Sequence, residues 1–102
     1  MNIDEVYDAL HAAKVVGCEK DLSLMMSKSE KHVSDLRTKN RPVSLESKTR
    51  LFHRLDDLQK TIEKEIKSGE PIKEGRFAAA ATIHRVRKML ESEIRWDCLG
   101  DI

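Results

Sequence analysis

The run Leu22–Pro42, LSLMMSKSEKHVSDLRTKNRP, decides how this chain is read. Two short segments with helical apolar spacing flank a turn at Ser27-Lys28. The first is expected to run from about Glu19 to Met26 and to bury Leu22, Met25 and Met26. The second is expected from Ser29 to Thr38, with Val33 and Leu36 inward and Ser29 as an N-cap accepting from an amide two or three residues on. Small Ser23 stands where the first helix must approach the second closely. Val33 follows ten residues later as a β-branched plug, and Leu36 three after that. A small residue, a turn and an aliphatic plug at such offsets hold a second helix away from the body of a protein, where it can enter a DNA major groove.

The neighbouring stretches extend the helical pattern. Upstream, Ile3 to Val16 places Val6, Leu10 and Ala13 on one face, and Gly17 is expected to end the helix. Downstream, Asn40-Arg41-Pro42-Val43 reads as a connector, because proline restricts itself and the residue before it. Ser44 then caps a long fourth helix with Leu45, Leu51, Phe52, Leu55, Leu58, Ile62 and Ile66 as its apolar positions. The steps 51, 55, 58, 62 alternate four and three, which is coiled-coil spacing. Ser68-Gly69-Glu70-Pro71 is a stop. A fifth helix is expected from Glu74 to Cys98, with a stripe of Phe77, Ala80, Ile83, Val86, Leu90 and Ile94. The expectation is an all-α, five-helix protein: a helix-turn-helix bundle over residues 1–67, and a C-terminal dimerisation helix over 68–102 that pairs with the long fourth helix. Only two prolines, four glycines and four aromatics in 102 residues argue against a β-sandwich or barrel.

Charge is distributed unevenly. The net charge is +1. Residues 27–54, however, hold eight Lys/Arg against three acids, while residues 1–26 hold two Lys against five acids. A local basic patch is what phosphate binding requires, whatever the whole-chain charge. A solvated helix face with a chance excess of cations would look the same by charge alone.

Other chemistries find little support. His11, His32, His53 and His84 are scattered, none at i, i+4 with another ligand, and Cys18 and Cys98 form no C-x-x-C, so no metal site or cofactor is expected. No motif places a base beside either thiol, and no set of paired catalytic residues appears, so no catalytic residues and no enzyme activity are expected. No apolar run approaches the ~18 residues of a membrane span. The N-terminus is acidic with no apolar stretch behind it, so a secretory signal is not expected and the protein is read as cytoplasmic.

Leu22–Pro42 resembles the helix-turn-helix of Cro/phage-repressor proteins, the XRE-like type, and the resemblance covers roughly residues 3–58. Ser23 matches the small alanine-type position, Ser27 the turn glycine, Val33 the buried plug and Leu36 the second anchor. Thr38-Lys39-Asn40-Arg41-Pro42 is similar to the polar, basic loop that follows the recognition helix. Ser27 and Lys39 depart from the glycines usual at their positions, and Glu19 stands where the family often has a phosphate-touching glutamine. The resemblance implies binding to double-stranded DNA and regulation of transcription, as a repressor. With Val33 inward, Glu30, Lys31, Ser34 and Asp35 become the base-reading candidates, with His32 beside them. Lys28, Ser29, Arg37, Thr38, Lys39 and Arg41 become the phosphate contacts.

The C-terminal third needs a separate reason to exist. Self-association through Leu55, Leu58, Ile62, Ile83, Val86, Leu90 and Ile94 is the favoured expectation, since a homodimer presents two recognition helices ~34 Å apart to an inverted repeat. Two alternatives stay open. The helices can form an intramolecular hairpin, or they can hold a protein partner, as in an interaction module or an antitoxin.

Overall fold

A computed structural model describes the backbone of residues 2–69 and 75–100 and the side chains of these residues up to Trp96. Among the described residues the fold is all-α, with α1 (Ile3–Ala12), α2 (Glu19–Met25), α3 (His32–Lys39), α4 (Leu45–Lys67) and α5 (Arg76–Gly100). Glu70, Pro71 and Glu74, and the side chain of Cys98, lie outside the described residues.

The three short helices begin differently but end alike. The Asn2 side chain opens α1 by accepting from the amides of Asp4 and Glu5, as an N-cap should. The α1 helix stops at Ala12, four residues before the expected Val16. Lys14 takes a left-handed φ of 60°. Its amide donates to the His11 carbonyl, and the Val15 amide donates to Leu10. This closure satisfies carbonyls that the last turn would otherwise orphan. It also turns Val16 back into the core. The same closure recurs after α2, where Ser27 has φ 57° and the Lys28 amide reaches the Ser23 carbonyl. After α3, Asn40 has φ 51° and the Arg41 amide reaches Leu36. The expected stop at Gly17 is therefore corrected: its amide donates to the Asp21 carboxylate instead, at 2.8 Å.

The α4 and α5 helices form an antiparallel hairpin. Ser44 caps α4 as expected, its hydroxyl accepting from the Ser47 amide. Lys48 pairs with Glu93 at 3.4 Å, Asp56 with Arg87 at 2.7 Å and Glu65 with Arg76 at 3.3 Å. Partner numbers fall on α5 as they rise on α4, which fixes direction and register. Lys48 of the first pair is buried, while both residues of the last are half-buried.

One apolar cluster runs through all five helices, from Ile3, Val6 and Leu10 through Leu22, Val33, Leu36, Leu51 and Leu55 to Ile83, Val86 and Leu90. The boundary expected near residue 67 is thus a boundary in chain order and not in packing. The dimerisation set is corrected on the same ground. Leu55, Ile62, Ile83, Val86 and Leu90 are buried within one chain, and Ile94 is half-buried against the same core. These residues build the intramolecular hairpin. Leu58 alone of the seven is left exposed. The α5 stripe is also corrected at its start: Ala79 enters the core, while Phe77 is 63% exposed. No helix is long and apolar enough to cross a membrane among the described residues.

Candidate nucleic-acid interface

Ser23 organises the pair α2–α3. It is fully buried. Its hydroxyl donates to the Glu19 carbonyl and accepts the Val33 amide, both at 3.0 Å. Its carbonyl receives the Lys28 and Met26 amides. One small residue thereby joins the last turn of α2 to the first turn of α3. Small size was legible in the sequence. The hydrogen bond across ten residues was not, since an alanine would meet the same spacing.

The expected helix over residues 29–38 begins later, at His32. Ser29 does not act as a side-chain cap; its carbonyl accepts the His32 amide in a turn. Lys31 takes the N-cap position without a side-chain bond. Val33 and Leu36 point inward as expected. Ser34, Asp35, Thr38 and Lys39 are exposed along α3, and Ser29, Glu30 and Lys31 are exposed in the turn before it. The left-handed residue after α3 is Asn40, so Lys39 remains helical and bears no strain.

The candidate contacts divide by what already holds them. Lys31, Lys39 and Arg41 make no ion pair among the described residues. Glu30 pairs with Lys20 at 3.3 Å, and Lys28 approaches Glu46 at 4.0 Å. Arg37 is engaged within the fold. Its Nε donates to Asp4 at 2.5 Å, its Nη1 lies 3.6 Å from Glu19, and its guanidinium sits 5.0 Å over the Tyr7 ring. The Asp4 hydrogen bond, with the Glu19 and Asp8 charges, raises its pKa further. Arg37 therefore ties α3 to α1 and α2. The Glu19 carboxylate thus faces a guanidinium. Ser34 and Thr38 border a shallow depression with Asp4, Glu19 and Arg37.

His32 is corrected as well. It is half-buried, and its Nε2 is buried without a hydrogen-bond partner. Burial first, then the Lys28 charge, lowers its pKa, while Asp35 opposes both. The ring is thus neutral near pH 7 and packs in the turn rather than facing a groove. No group of three or more His, Cys, Asp or Glu able to hold a metal occurs among the described residues. Cys18 is exposed and free.

The chain belongs to a family of unknown function, DUF6626, whose model matches residues 3–100. No match was found among the curated proteins, and none among the solved structures.

Proposed function

We propose that this member of the family is a small cytoplasmic DNA-binding regulator of transcription, a repressor that reads an inverted repeat as a homodimer. The observation that carries the reading is the Ser23–Val33 junction. It fixes α3 at a close crossing on α2 and leaves Ser34, Asp35 and Thr38 facing outward beside the unpaired Lys31, Lys39 and Arg41. A helix presented in that way, with cations at both ends and small polar groups between, suits a major groove flanked by phosphates. Lys31 donates to guanine, and Ser34 and Asp35 face neighbouring base edges. Glu30 reads a base only by releasing Lys20. Lys39, Arg41, Ser29 and Thr38 position the helix on phosphates.

Selection of bound duplexes from a random pool at ~150 mM salt tests this, because non-specific phosphate binding is already weakened there. The expected result is an inverted repeat with half-sites ~10 bp apart. Lys31→Ala relaxes the preference at one or two base pairs, costing about 1–3 kcal/mol of discrimination. Lys39→Ala weakens all sequences alike and lowers the salt slope by about one. No enrichment above input overturns the proposal. It would favour the second reading, a protein-interaction or antitoxin-like module, which rests on Phe77 and on Trp96, 73% exposed on α5.

A further inference from the structure

We propose that the groove between α2 and α4 is the docking surface for a second copy of this chain. The groove holds about 510 Å³ and is lined by Val15, Leu24 and Met25 on one side and by Arg54, Asp57 and Leu58 of α4 on the other. Leu24 is 51% exposed and Leu58 38%. Single exposed leucines are ordinary; here two from separate helices converge on one concave patch, which gives a contact an apolar centre. Leu58 is also the one position of the 51-55-58-62 seam that the hairpin leaves uncovered.

The rim charges choose the occupant. Arg54 and Asp57 stand one turn apart on α4, of opposite sign, and neither makes an ion pair among the described residues. A two-fold contact lays a patch against its own copy, so that residue i meets j and j meets i. With that axis perpendicular to α4, the arrangement that brings opposite charges together, the two α4 helices run antiparallel. Each Arg54 then meets the other copy's Asp57 while Leu24 and Leu58 fill the concave centre. A rim of one sign would repel its copy, and an uncharged rim would leave the register unset. The third rim charge, Asp21, is engaged by the Gly17 amide. None of the exposed α3 residues lines the groove, so pairing leaves that face open. The inference deepens the DNA-binding reading and rests on it for the inverted repeat, but its evidence is the groove alone.

Sedimentation equilibrium of the full chain without DNA tests it. The expected wild-type species is twice 11.7 kDa. Leu24→Asp and Arg54→Asp each raise the dimer dissociation constant at least about tenfold with helical circular dichroism unchanged. The exchange Arg54→Asp with Asp57→Arg restores the dimer. A wild-type monomer throughout the micromolar range, dimers unaffected by either single variant, or an exchange that fails to restore pairing would each overturn the proposal. Duplex selection is read separately. A monomer that still enriches a single half-site removes the groove and keeps the DNA reading. A dimer that enriches nothing does the reverse.

Discussion

Ser23 and His32 show how much hangs on single polar atoms in the α2–α3 turn. Removing the Ser23 hydroxyl leaves the buried Val33 amide without a partner. An orphaned buried donor costs about 1–3 kcal/mol. Ser23→Ala is therefore expected to lower the unfolding free energy by that amount, read as a lower urea midpoint with an unchanged slope. A loss below a few tenths of a kcal/mol would show that the amide finds another acceptor. His32 gives the molecule an acid limit. Its folded-state pKa lies below the ordinary value of 6.5. Between those two pKa values the unfolded chain binds the extra proton, so stability is complete above pH 6.5 and falls as pH drops. His32→Gln removes this dependence, and denaturant titrations at pH 7.5 and 5.5 check it. Neither role was legible from the residue alone. Serine at 23 reads only as small, and histidine at 32 reads as a groove neighbour if the helix starts at Ser29, whereas it starts at His32.

Among the elements, apolar spacing located all five helices, and capping chemistry located some of their ends. Ser44 was legible because a hydroxyl before a periodic run has one obvious use. The stop of α1 was not, because the sequence signal for a left-handed stop is glycine, whereas the ends of α2 and α3 lie within one residue of those expected. This chain places Lys14, Ser27 and Asn40 there instead. In all three the Cβ crowds the following carbonyl, but asparagine tolerates the conformation better because its short amide can hydrogen-bond locally. Lys14→Gly and Ser27→Gly are each expected to raise stability by up to about 1 kcal/mol, the relief of strain exceeding the added freedom of the unfolded chain. Thermal melts of the two variants settle the sign. A fall at Ser27 would mean that its side chain contributes more than its backbone costs. The ion pairs of the hairpin were illegible for another reason. Lys48–Glu93 and Asp56–Arg87 depend on register, which no spacing within one helix reveals.

For the whole molecule, fold class followed from the arithmetic of helices and links, and the division of labour did not. The coiled-coil spacing of α4 was real, yet the surface it called for was α5 of the same chain. Periodicity says that a face will be covered and is silent about the source of the cover. The family match spans α1 through α5, and so does the core. Both treat the chain as one unit. The candidate DNA face was legible as a set, since Val33 and Leu36 divide inside from outside. The bond from Arg37 to Asp4, thirty-three residues away, was not legible. That contact has a thermodynamic consequence. The Ser23 hydroxyl holds the first turn of α3, Arg37 its middle and the Leu36–Arg41 closure its end. A ligand arriving on the outward face would meet a surface already ordered, with little conformational entropy left to lose. Its binding heat capacity would then reflect buried surface alone, without the added signature of a segment folding on contact.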